Sequence, residues 1–180
     1  SDILFNYERP TAEIMDGVGY LYVFPGKDYV RHYKKIYETC GYKVTAKTPT
    51  QAQTTRAIKN ALPDDMPTCD VALLGYVEAL APGGQEWRGN DDVKWKTETI
   101  NGQEVAFIGV AFSYWGNIIY SVVEALSRYC STVIYAGKLG SLAQSDTPNA
   151  TIATGNSSYV DGSLVTWNNL FKNSPLAVEG

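Results

Sequence analysis

Short apolar runs alternate with segments of helical spacing along this chain, and that alternation restricts it to a sheet covered by helices. The run Gly19-Tyr20-Leu21-Tyr22-Val23-Phe24 is aromatic and β-branched and reads as a buried strand. Pro25-Gly26 breaks it, and Asp28 can cap a helix beginning there. Val30, Tyr33, Ile36, Tyr37 and Cys40 then recur at helical spacing, with Arg31, Lys34, Lys35 and Glu38 between them. Gly41 stands where a C-terminal cap belongs.

The same alternation continues downstream. Residues 45–66 are polar and rich in Thr and Gln, with one short helix over 51–62. Residues 71–74 form a second apolar strand, and 81–92 form a loop rich in breakers. Asn101-Gly102 between 95–100 and 103–110 is a strong hairpin signal. Ile118, Ile119, Val122, Val123 and Leu126 mark an amphipathic helix, and 132–136 another buried strand. Residues 151–154 and 158–160 suggest further strand, and 162–171 a last helix. The expected fold is a single α/β domain: a central, mostly parallel or mixed twisted sheet with helices on both faces. Residues 1–18 are expected to form an N-terminal arm and 19–180 the domain.

Composition narrows the function. Acids and bases are interleaved and the formal charge is −4, so no basic stripe is offered to a phosphate backbone and nucleic acid is not an expected partner. Cys40, Cys69 and Cys130 are scattered without metal-ligand spacing. Reduced thiols and a cytoplasmic location are the expectation, with no metal and no cofactor. No segment is apolar and long enough to span a membrane, and no signal-peptide pattern opens the chain. His32 reads as structural or exposed; Asp64-Asp65 and Asp91-Asp92 read as solvated turn acids.

Two motifs have the makings of a site. In Phe24-Pro25-Gly26-Lys27-Asp28, with Arg31 a turn into the helix, a strand feeds a glycine turn and a helix N-terminus. Such a junction presents free N–H groups to an anion, and Arg31 can hold it bidentately. A plain turn with a solvated arginine explains the same residues. In Tyr135-Ala136-Gly137-Lys138-Leu139-Gly140-Ser141, glycines come directly after a buried strand, where α/β sheets place ligands. A glycine-rich transition with an exposed lysine is the competing explanation.

In order, these pieces resemble the nucleoside phosphorylase and nucleosidase superfamily. Val23-Phe24-Pro25-Gly26 with Arg31 is similar to the strand and phosphate loop of the hexameric purine nucleoside and uridine phosphorylases, with the arginine one residue late and Lys27-Asp28 in place of Asp-Pro. Residues 99–109 resemble the family's hairpin. Gly137-Lys138-Leu139-Gly140 stands where the family has Gly-Ser/Thr-x-Gly. The family's glycine-rich turn after the hairpin is here Ala111-Phe112-Ser113-Tyr114-Trp115, and Tyr135 replaces a phosphate-binding arginine. Residues 152–160 resemble the strand whose aromatic residue, here Tyr159, holds the purine. Leu176-Ala177-Val178-Glu179 resembles the start of the motif whose glutamate grips the ribose; an alternative alignment places 151–154 on an earlier family strand and makes Glu179 a coincidence. Residues 45–95 are a divergent, partly inserted segment.

The resemblance implies binding of a purine nucleoside or phosphate by Gly26, Arg31, Gly137, Lys138 and Tyr159, with Glu179 as the catalytic carboxylate and cleavage of the N-glycosidic bond as the activity. It also implies a homo-oligomer, or a second chain that completes the domain. The motif's second glutamate and the later acid for the leaving base have no counterpart before Gly180. That favours the alternative: a non-catalytic ligand-binding or assembly domain that kept the fold and lost the active centre.

Overall fold

Asn101 and Gly102 both take positive φ, +52° and +80°, the two left-handed conformations that close a two-residue hairpin. A computed structural model describes residues 8–24, 26–138, 140, 155, 157–160 and 162–166. The chain divides into two compact units, Ser1–Lys138 and Leu139–Gly180.

The first unit contains β1 (Thr11–Met15), β2 (Val18–Tyr22), α1 (Lys27–Thr39), α2 (Gln51–Ala61), β3 (Cys69–Gly75), α3 (Val77–Leu80), β4 (Arg88–Gly89), β5 (Val93–Ile100), β6 (Gln103–Val110), α4 (Asn117–Leu126) and β7 (Cys130–Ala136). Five strands form one mixed sheet in the order β4-β5-β6-β3-β7. β3 runs parallel to both β6 and β7, while β5 is antiparallel to β6 and to β4. The hairpin expected at Asn101-Gly102 joins β5 to β6, with Ile100 opposite Gln103. β3, the middle one of the three parallel strands, lies within residues 45–95, the segment expected to be divergent.

Alternation of side chains sorts the sheet into two faces. Ala72, Leu74, Val93, Trp95, Ala106, Ile108 and Val110 share one core with Ile58 and Leu62 of α2 and its end, and with Ile118, Val122, Ala125 and Leu126 of α4. Fully burying a side chain such as Ile118 or Leu126 contributes roughly 1.5–3 kcal/mol. The opposite face is more thinly covered: Phe107, Leu73 and Val105 pack on Val77 of the one-turn α3 and on Trp87. Buried Lys96 sits on that face with its ammonium 4.7 Å from the Trp87 ring centroid. Helices thus lie on both faces, though unequally: α2 and α4, with Tyr29 of α1, cover one, and only the one-turn α3 covers the other.

The opening strand also differs from expectation. Residues 18–22 do not join the large sheet; they pair with β1 in a separate hairpin whose turn residues, Asp16 and Gly17, have φ of +52° and +75°. Asp-Gly closes this turn by the same geometry as Asn-Gly. Ile14 is 82% exposed and Val18, Tyr20 and Tyr22 are exposed too. Within α1, Tyr29 is buried, edge-on to Phe24 and against Trp115, whereas Ile36 and Tyr37 are exposed. Gly41, at φ +87°, ends α1 as expected: its N–H bonds to Glu38, that of Tyr42 bonds to Tyr37, and the Tyr37 and Tyr42 rings meet edge to face.

In the second unit, β8 (Ser157–Val160) pairs antiparallel with β9 (Ser163–Thr166). The helix expected over 162–171 is corrected over its described part. Ser163-Leu164-Val165-Thr166 is strand, because Gly162 at φ +80° makes a turn and the adjacent β-branched Val165 and Thr166 suit a hairpin better than a helix. The strand expected over 151–154 lies outside the described residues.

Candidate functional site

Because β3, β6 and β7 are parallel, their carboxyl ends emerge at one rim of the sheet. The chain crosses β3 through α4 on its way from β6 to β7, so connections reverse direction about β3. A rim of this kind, at a reversal in strand order, is where open α/β sheets take ligands.

At the end of β3, Gly75 has φ +101° and a side chain there would overlap the Ala136 carbonyl. Glycine lets the two strand ends close, and the Tyr76 N–H donates to Ala136 O at 2.7 Å. Tyr76 is left 49% exposed beside the end of β7. There Tyr135, 62% exposed, leans over Gly137, where a Cβ would lie 2.6 Å from its ring. The Lys138 ammonium stands 4.6 Å from the Tyr76 ring centroid. From the loop after β6, Tyr114 meets Tyr135 edge to face at 6.1 Å. Its hydroxyl reaches the Gly75 backbone, and burial pushes the phenol up to about 12. Tyr114 therefore stays a neutral wedge between the ends of β6 and β3.

The aromatic residues of the loop after β6 thus have distinct places. Phe112 enters the core, Tyr114 fills the rim, and Trp115 packs on Tyr29 at 4.2 Å and near His32 at 5.8 Å. The four side chains gathered at the rim, Tyr76, Tyr114, Tyr135 and Lys138, supply ring faces, hydroxyls and one ammonium. Flat π surfaces with an adjacent cation suit a heteroaromatic ring that carries carbonyl or anionic oxygens.

The residues of the α1 junction, expected from sequence to bind an anion, adjoin this rim in another arrangement. Gly26 is buried, and a Cβ on it would overlap Ile118 at the start of α4. The backbone approaches so closely to admit a helix. Asp28 does not cap α1, whose cap position is Gly26. Its carboxylate instead accepts from the Asn117 N–H of α4 at 2.8 Å, while Asn117 Oδ1 accepts from the Asp28 N–H of α1 at 3.3 Å. Two helix N-termini cap each other, which places a carboxylate among the N–H groups an anion would seek. Arg31 is exposed on α1.

A polar seam continues from this cross-cap between α2 and α4. Gln51 meets Asn117 at 3.3 Å and Ser121 Oγ at 2.5 Å, the Thr55 and Ser121 hydroxyls are 3.1 Å apart, and Thr55 donates to Glu124 at 2.9 Å. Lys59 pairs with Glu124 at 3.6 Å. Thr54, Thr55 and Ser121 are buried within it. This seam sets where α4 begins, and hence where the Tyr114 loop must end.

Of the residues expected from sequence, Gly137 and Lys138 lie at the rim, and Gly26 and Arg31 lie on the adjoining α1 junction. Tyr159 is in β8 of the second unit, opposite Leu164. Glu179 lies outside the described residues. Tyr76 was missed by sequence reasoning; the available signal was a glycine and an aromatic residue directly after an apolar strand. An open depression of about 310 Å³ lies elsewhere, along one face of α1, lined by His32, Lys35, Ile36, Thr39 and Cys40. All five belong to one helix and its end, so no facing wall among them can fix a ligand. Among the described residues, no group of three or more His, Cys, Asp or Glu could hold a metal ion, and no helix is long and apolar enough to cross a membrane. No family model, curated protein or solved structure matches the chain.

Proposed function

We propose that this chain is a nucleoside-phosphorylase-like domain that binds a purine nucleoside or related heteroaromatic ligand at the carboxyl rim of its parallel strands. The observation that carries the reading is the gathering of Tyr76 and Tyr135, both exposed, with Lys138 where β3 and β7 end together. Stacking of a base on an aromatic side chain contributes about 1–3 kcal/mol, and the tyrosine rings offer faces for it. The ammonium adds attraction for a ring oxygen or an attached phosphate.

Binding without bond cleavage is the version these residues favour. Breaking an N-glycosidic bond requires an acid for the departing base and a group that stabilises the ribosyl cation. Tyr114, whose phenol is pushed up to about 12, is a poor proton donor at neutral pH. The Asp28 carboxylate is committed to the N-terminus of α4. Thermal unfolding with adenosine, inosine and methylthioadenosine, each with and without phosphate, tests the reading. A ligand held at a hundred times its Kd should add about 2.7 kcal/mol of stability. Chromatography of the same mixtures tests cleavage: free base accumulating with turnover would favour an enzyme, and no shift with any of the three would remove the reading.

A further inference from the structure

Cys69 opens β3 and Cys130 opens β7, and the parallel register makes them direct partners. Both are free thiols and lie close enough to interact with each other. Neighbouring strands run about 4.8 Å apart and a disulfide wants Cβ atoms roughly 3.5–4.5 Å apart, so a small local approach suffices. The structure allows that approach on one side. In the five-stranded sheet β7 is the terminal strand, and half-buried Cys130 comes directly after the exposed Arg128 and half-buried Tyr129. Cys69 is buried and tied down, its N–H donating to Tyr129 O at 2.8 Å.

We infer that Cys69 and Cys130 form a peroxide-oxidisable dithiol that closes to an intramolecular disulfide between β3 and the terminal strand β7. The Cys130 thiolate attacks one oxygen of the peroxide and breaks the O–O bond; Cys130 becomes a sulfenic acid and a first water departs. The Cys69 thiolate then attacks the sulfenic sulfur, the S–S bond forms, and the hydroxyl leaves with a proton as a second water. The protein loses two protons and two electrons, and the peroxide is reduced to the two waters. Burial pushes the Cys69 thiol up to about 11 and raises Cys130 as well, so closure is slow near neutrality and quickens with rising pH. The linkage lies at the opposite ends of β3 and β7 from Tyr76 and Tyr135, and does not rest on the ligand reading.

The test oxidises folded Cys40→Ser protein with hydrogen peroxide, then alkylates it, digests it without reduction and identifies the products by mass spectrometry. Wild-type protein whose exposed Cys40 has first been alkylated serves as a second form of the same experiment. The expected main product is a peptide pair joining Cys69 to Cys130, formed faster at higher pH and released by dithiothreitol. Sulfinic acid on Cys130 beside an unmodified Cys69, disulfides only between molecules, or no oxidised product would each overturn the inference.

Discussion

Glycines with positive φ are not equivalent in this chain, and space around them decides which can be replaced. Gly102 has φ +80° but open space where a Cβ would go, so Gly102→Ala should cost about 1 kcal/mol, from the backbone conformation alone. Gly75 has φ +101° and the Ala136 carbonyl occupies the Cβ position, so Gly75→Ala must also part β3 from β7. Its expected cost is roughly 2–4 kcal/mol by denaturant unfolding, clearly above that of Gly102→Ala. Equal costs would contradict the closure of the strand ends at Tyr76. Titration belongs to this scale too. Cys69 and Tyr114 are raised by burial from ordinary values of 9.0 and 10.0 to about 11 and about 12. A raised value in the folded state favours the neutral form, so this stabilisation is complete below the ordinary values and is lost as pH climbs through the folded ones. Denaturant midpoints should therefore fall as pH rises from about 9 to about 12, and Cys69→Ala should flatten the lower part of that decline.

At the scale of elements, the Asp28–Asn117 cross-cap makes α1 and α4 a coupled pair. Asp28→Ala or Asn117→Ala should each destabilise by about 1 kcal/mol, and the double substitution should cost clearly less than the sum, because the two bonds hold the same pair of helix ends. Additive costs from unfolding curves would show that the two caps act independently. Most elements were legible from local pattern: β3, α2, α4, β7 and the Asn101-Gly102 hairpin all formed where apolar spacing and turn chemistry placed them. The failures share a cause. Aromatic and β-branched residues at 19–24 announce a strand without saying which partner it takes, and Asp16-Gly17 decides that by folding β2 back on β1. Gly162 turned an expected helix into β9 in the same way. The site was half legible: Gly137-Lys138 could be seen after a strand, but Tyr76 became relevant only through the β3–β7 register, a long-range fact. Gly26 read as room for an anion because the sequence does not show that α4 would come to lie against it.

The sheet of the first unit determines which residues can act together. β3, lying between β6 and β7, brings Gly75-Tyr76 to Ala136-Gly137-Lys138, and the loop after β6 that leads into α4 adds Tyr114. The proposed ligand surface is a product of this strand order, so its contributions should fall on rim residues and not on the separate β1–β2 hairpin. Calorimetric titration of the best-binding nucleoside is the most direct test. Tyr76→Ala and Tyr135→Ala should each weaken binding by about 1–3 kcal/mol, while Ile14→Ala on the hairpin should leave it unchanged. Affinity that survives loss of both rings would contradict a nucleoside site at this rim.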